Sequence, residues 1–164
     1  MKRTQIAAGN WKMNKTYSEG RALAKAIADG MNNSKNLVIL GTPAIHLRTV
    51  GNMIKKVPNL ELAAQNCHQK SSGAYTGEIS LDMLKSIGVE YVILGHSERR
   101  EYFNEYSELL AEKTNAVLEN GLAPIFCCGE NLAIREAKEH IEYVSNQLRS
   151  SLFHLSAEDF GKIV

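Results

Sequence analysis

The 164-residue sequence contains no run of 18 apolar residues, so it offers no candidate for a membrane-spanning helix. Nor is one charge in surplus: 19 Lys and Arg stand against 18 Asp and Glu, a formal net of +1. Such a balance gives no electrostatic footprint for nucleic acid or an anionic membrane. Met1-Lys2-Arg3 leads straight into a short strand-like segment, and no signal-peptide core follows it. Cysteine is scarce: Cys67, Cys127 and Cys128 make an odd count, and adjacent cysteines rarely bridge. That disfavours a disulfide scaffold and leads to the expectation of reduced thiols in a cytoplasmic protein. The absence of C-x-x-C and H-x-x-x-H spacings argues against zinc. What is present is ordinary for a globular domain: 44% apolar and 23% charged residues, enough to disfavour disorder. The length fits one domain or a piece of a larger one.

The apolar pattern alternates between short continuous runs and longer amphipathic stretches. The runs are Gln5–Asn10, Asn36–Gly41, Leu60–Asn66, Glu90–Gly95 and Leu122–Gly129, which read as strands covered on both faces. Helical spacing appears in Ser18–Met31 with Ser18 as cap, in Ile45–Val57 stopped by Pro58, and in Leu81–Ile87 closed by Gly88. It recurs in Tyr106–Leu118, with Leu109, Leu110, Lys113, Ala116 and Val117 on one stripe, and in Asn131–Leu148, with Ile134, Ala137, Ile141, Val144 and Leu148. Strands begin near residues 5, 36, 60, 90 and 122, a βα unit repeated five times without linker or composition break.

An open doubly wound sheet and a closed (β/α)8 barrel both use this repeat. Length alone favours the open sheet, because a barrel typically needs about 250 residues. The polar residues favour the barrel. After the first strand the chain reads Gly9-Asn10-Trp11-Lys12-Met13-Asn14, with no G-x-G-x-x-G phosphate turn. Polar groups instead gather where strands end: Asn10 and Lys12, Gln65 and Asn66, His96, Ser97 and Glu98, then Glu130.

These residues could carry chemistry. In Gly95-His96-Ser97-Glu98, a strand runs into a histidine at a helix start, with Ser97 placed as the cap. A neutral His96 there could polarise a carbonyl oxygen; it could equally be a satisfied surface histidine. Asn10 and Lys12, two apart on an extended segment, can face one pocket, where the lysine would offset a phosphate or an oxyanion. Lys12 could also be an ordinary solvated lysine beside a core Trp11. Glu98 or Glu130 could pair with Lys12, or merely stabilise a helix N-terminus. The long polar loop Cys67–Ser80, with Tyr75, Thr76, Gly77 and Glu78, is either an insertion into a partner surface or a mobile loop. Cys127 and Cys128 read as inert buried thiols or as reactive ones.

Taken together, Ala8-Gly9-Asn10-Trp11-Lys12-Met13-Asn14, Gln65-Asn66, Gly73-Ala74-Tyr75-Thr76-Gly77-Glu78, Gly95-His96-Ser97-Glu98-Arg99-Arg100 and Cys127-Cys128-Gly129-Glu130 resemble the triosephosphate isomerase family. The resemblance runs in order from residue 1 to 164. It implies a single domain, 1–164, folded as the first five βα units of a TIM barrel plus the start of the sixth strand at Phe160–Val164. It also implies a cofactor-independent and metal-free glycolytic and gluconeogenic isomerase that interconverts dihydroxyacetone phosphate and glyceraldehyde 3-phosphate through an enediol(ate). By resemblance, His96 is the neutral electrophile, as is established for that family. Lys12 binds the phosphate and offsets enediolate charge, and Asn10 orients the substrate. Ser97, Glu98, Cys127 and Glu130 surround these groups. Thr76, flanked by Tyr75, Gly77 and Glu78 in loop 67–80, reaches a partner's site and implies a homodimer.

The family's catalytic glutamate, mobile lid and last phosphate-binding loops are expected beyond residue 164. Glu98 and Glu130 match other family positions, so no catalytic base is expected in this chain, and residues 1–164 alone are expected to be inactive. The alternative is a non-catalytic barrel fragment or assembly module.

Overall fold

In the computed structural model, residues 4–31 and 34–164 are described, so the reading of Met1-Lys2-Arg3 falls outside them. In chain order the elements are β1 (Ile6–Asn10), α1 (Tyr17–Gly30), β2 (Leu37–Thr42), α2 (Ala44–Ile54), β3 (Leu60–Ala64), α3 (Leu81–Lys85), β4 (Tyr91–Leu94), α4 (Ser97–Tyr102), α5 (Ser107–Glu119), β5 (Ala123–Phe126), α6 (Leu132–Glu136), α7 (His140–Leu152) and α8 (Ala157–Phe160). The strands form one parallel sheet in the order β1-β2-β3-β4-β5, each bonded to its neighbours in sequence. Ile6 pairs with Leu37, Val38 with Leu60, Ala63 with Tyr91, and Tyr91 with Ala123.

The two-residue period of a strand sorts its side chains between two cores. Leu40, Leu62, Ala64, Val92 and Leu94 face the helices and pack with Ala24, Leu47, Val50, Leu84, Leu110 and Val117. Ile39, Ala63 and Ile93 lie on the opposite face with Ile6, Leu37, Tyr91, Ile125 and Cys127, in the concavity of a curled half-barrel. Burial on both faces is why these strands are almost wholly apolar. Beside β5, the Val164 N–H donates to the Pro124 carbonyl at 2.9 Å, and the Phe126 N–H donates to the Val164 carbonyl at 2.9 Å. These two bonds bracket Val164 as in a parallel pair.

The structure departs from the sequence reading in several places. Phe160 closes α8 and Gly161 caps it, so strand geometry starts at the very end of Phe160–Val164 and not across it. Helix α1 is capped by Thr16, not Ser18: the Glu19 carboxylate accepts from the Thr16 N–H at 2.8 Å and from its hydroxyl at 2.7 Å. That local hydrogen bonding holds the Glu19 carboxyl below its ordinary range. The stretch read as one helix, Asn131–Leu148, is two, because Lys138 at φ +63° turns the chain between α6 and α7. With the phase reset, Ile141 is 73% exposed, and Gln147, Ser151 and Leu152 are the buried side of α7. The fifth strand ends at Phe126, before Cys127 and Cys128.

Candidate active site

The left-handed loop after β1 sets the first functional side chain. Lys12 has φ +53° and Lys15 φ +76°, conformations that cost a residue with a Cβ roughly 1–3 kcal/mol each. They persist because polar groups converge on this loop. The Asn10 Oδ1 accepts from the Lys12 N–H at 2.9 Å, and Asn14 Nδ2 donates to the Trp11 carbonyl at 2.8 Å. Gln65, just past β3, aims one amide at three oxygens. Its Nε2 lies 3.1 Å from Asn10 Oδ1, 2.9 Å from the Lys12 carbonyl and 3.1 Å from the Gly41 carbonyl. Asn10 thus meets the backbone of Lys12 through a left-handed turn and not along the extended segment that their i, i+2 spacing suggests, and Gln65, just past β3, supplies the brace.

His96 is delivered by β4. Gly95 precedes it at φ +69°, and a Cβ there would stand 2.8 Å from Arg100 Nη2 and 3.0 Å from the Cys127 carbonyl. Only glycine fits that approach. Arg100 then ties β4 to β5, donating to the Gly95 carbonyl at 2.7 Å and the Cys127 carbonyl at 3.0 Å. The cap of α4 is His96 itself and not Ser97, which is the first helical residue. The Glu98 N–H donates to His96 Nδ1 at 3.3 Å. An Nδ1 that accepts carries no proton, so the ring proton sits on Nε2, the nitrogen free to donate. Glu98 Oε2, 3.5 Å from the same Nδ1, is the weaker neighbour, and the backbone donor decides the tautomer.

The same Glu98 accepts from Lys12 Nζ at 2.7 Å through Oε1. The lysine hydrogen bond holds the Glu98 carboxyl below its ordinary range. One carboxylate therefore links the cation from β1 to the imidazole from β4. Glu130 does not join them: it pairs with Arg135 of α6. A cleft of about 670 Å³ opens beside His96, lined by Arg100, Cys128, Glu130, Tyr143 and Gln147. Gln147 holds the floor of that cleft, with its amide accepting from the Gly129 N–H and donating to the Gly129 carbonyl, both at 3.0 Å.

The cysteines differ from one another. Cys67 is buried, and burial pushes its thiol up to about 12. Burial also raises Cys127, whereas Cys128 is exposed and does not share the buried context expected of the pair. Loop 67–80 is pinched at its base by the His68 N–H donating to the Ile79 carbonyl at 2.9 Å. The His68 and Tyr75 rings stack with centroids 4.2 Å apart, which gives the loop internal order rather than the form of a slack connection. Among the described residues, no three His, Cys, Asp or Glu side chains converge to hold a metal ion, and no helix is long and apolar enough to cross a membrane.

A buried ionic cluster lies beneath the mouth, and sequence spacing alone does not reveal it. Glu105, 4% exposed, accepts from Arg99 Nε at 2.8 Å and Lys113 Nζ at 2.6 Å, and Lys113 also donates to Asn66 Oδ1 at 2.9 Å. The available signal is a lysine on the apolar stripe of α5, which requires a buried partner. Burial alone would raise the Glu105 carboxyl, but hydrogen bonds from Lys113 and Arg99 outweigh it and hold the carboxyl below the ordinary 4.5. Its contribution to stability is therefore complete above that pH and is lost as pH falls through the lower folded value. Lys113→Met leaves the buried carboxylate short of a partner and lowers unfolding stability by about 3–5 kcal/mol at neutral pH. Urea unfolding at a series of pH values checks this: the gap between variant and parent narrows as pH falls from 4.5 toward the lowered folded value of Glu105.

Comparisons with known proteins bear on the family and the fold. A family model described as triosephosphate isomerase matches residues 5–164. The triosephosphate isomerase of Cytophaga hutchinsonii is 54% identical over 99% of this chain and 65% of its own length. That of Bacteroides fragilis is 52% identical over 99% of this chain and 64% of its own. A crystal structure of triosephosphate isomerase from Bartonella henselae superposes with a TM-score of 0.89 at 35% identity, covering 99% of this chain and 66% of that one. The chain spans about 65% of the length of the curated relatives it matches.

Proposed function

The chain belongs to the triosephosphate isomerase family, and on that premise we propose that the enzyme carrying it interconverts dihydroxyacetone phosphate and glyceraldehyde 3-phosphate by moving a proton between adjacent carbons. The observation that carries this reading is Glu98, whose carboxylate joins Lys12 to His96 across the mouth. Lys12 places a positive charge where a phosphate or a developing enediolate needs one. His96 offers Nε2–H to the substrate oxygens. Asn10, held by Gln65, orients the substrate from the opposite side. Ser97, Cys127 and Glu130 line the surroundings. Glu98 is held by Lys12 and Glu130 by Arg135, and we assign the carbon-acid base to no residue of 1–164. The reaction itself is redox-neutral proton transfer, and we assign it no cofactor and a cytoplasmic setting. The experiment is turnover of glyceraldehyde 3-phosphate by the enzyme carrying these residues; no turnover by the folded enzyme overturns the reading.

The same proposal makes residues 1–164 part of one domain and the enzyme a homodimer. Support comes from apolar side chains left in solvent around the mouth: Met13, next to Lys12, is 96% exposed, Ile45 70% and Tyr75 45%. Loop 67–80, with Thr76, Gly77 and Glu78 at its outer end, is the element that reaches across. Shortening it to a four-residue turn yields a monomer with reduced activity, because Thr76 no longer braces the neighbouring site. Sedimentation velocity of the shortened enzyme checks this, and an unaltered dimer removes the loop from the interface.

A further inference from the structure

His46 has no part in the site described above, yet it is 1% exposed and its ring is wedged among residues of one short loop. Its Nε2 donates to the Lys15 carbonyl at 3.0 Å. Its ring lies 5.7 Å from the Trp11 ring, tilted by 58°. Gly20 of α1 makes room for it: a Cβ at that glycine would stand 2.6 Å from His46 Cε1 and 2.7 Å from Nδ1. Trp11 immediately precedes Lys12, and Lys15 is the second left-handed residue of the turn. The ring therefore touches the loop on both sides of the lysine without reaching the lysine itself.

We propose that His46 is a positioning residue for Lys12, holding one end of the turn 11–15, with its left-handed Lys12 and Lys15, while Gln65 holds the other. The argument rests on geometry. A loop with two non-glycine left-handed residues relaxes unless neighbours over-determine it. Gln65 fixes the Asn10 and Lys12 end, and Asn14 binds within the loop. Among the described hydrogen bonds, His46 is the side chain of another element that fixes the Lys15 end. Were it lost, the Lys12 ammonium would sample positions away from Glu98 and from the phosphate it meets in the proposed reaction.

The inference builds on the proposed function, and its test separates the two. In the enzyme carrying this chain, His46→Phe keeps an aromatic ring and removes the donor. KM for glyceraldehyde 3-phosphate and the inhibition constant of inorganic phosphate are expected to rise together by roughly 10-fold, with kcat within about 3-fold of the parent. His46→Gln, which retains a donor, restores both to within about 2-fold. On a Lys12→Met background, His46→Phe has no further effect on phosphate inhibition, because the group it positions is gone. If the Phe variant does not fold, Gly20→Ala displaces the ring and gives the same paired rise. A folded His46→Phe enzyme with unchanged KM and phosphate inhibition overturns the proposal, as does a Gln variant no better than Phe. If the unaltered enzyme fails to turn over the triose phosphate, the proposed function falls, and calorimetric titration of inorganic phosphate into parent and His46→Phe still tests the positioning of Lys12.

Discussion

In the isomerase proposed to carry this chain, replacing His96 with Gln is expected to lower turnover by roughly 10²–10⁴-fold, the usual worth of a positioned proton-transfer or oxyanion group. The tautomer explains the size. With the Glu98 N–H on Nδ1, the ring presents a proton at Nε2 and can exchange it with a substrate oxygen. A glutamine can still accept the Glu98 N–H and can still donate, so α4 keeps its cap and the fold is retained. An amide, however, cannot lose and regain a proton near neutral pH. Steady-state turnover of the purified variant, with its urea midpoint measured alongside, separates the two effects. Turnover within a factor of about 2 of the parent would remove His96 from the chemistry.

Lys12→Met is expected to weaken inhibition by inorganic phosphate and to lower kcat/KM, each by roughly 30-fold to several thousand-fold, the range for truncating one partner of a desolvated charge pair. Methionine preserves the length and apolar stem of lysine, so charge is the variable tested. A second consequence follows from the shared carboxylate. The hydrogen bond from Lys12 is what lowers the Glu98 carboxyl from its ordinary range. Without it, the Glu98 carboxylate loses its partner and is left 3.5 Å from His96 Nδ1. The tie between the two ends of the site is then gone, so kcat falls as well as KM rising. Unchanged phosphate inhibition in Lys12→Met makes the lysine a bystander.

The repeat of five βα units is legible because each strand is buried on both faces, which leaves continuous apolar runs at near-regular intervals along the chain. Asn10, Lys12 and His96 are legible because a polar residue directly after such a run must lie at a strand end. Contacts across long sequence separations are not legible. Nothing in the spacing announces that Gln65 spans to Asn10 and Lys12, or that Glu98 and not Glu130 takes the lysine. Glu105 hides in a short polar loop, and its need for Lys113 and Arg99 follows only from burial. The break at Lys138 is hidden because a lysine carries no residue-type signal for a left-handed turn, so the apolar spacing reads on across a point where the chain resets its phase. Thr16 and Ser18 are equally good caps by residue type, and Glu19 three residues after Thr16 decides between them.

The strict strand order has a kinetic side. Each strand pairs with the one made just before it, so every step of sheet growth closes a loop of similar size, one βα unit. Closure entropy rises only with the logarithm of loop length, about 0.6 kcal/mol per doubling, so no step is much harder than the last. A ribosome adding about 5–20 residues per second needs on the order of seconds to deliver a unit of about 30 residues, whereas a short loop closes in well under a millisecond. The sheet can thus lengthen in step with synthesis, with Lys12 and the loop that carries it docked on β2 and β3 before the strand that bears His96 has left the exit tunnel.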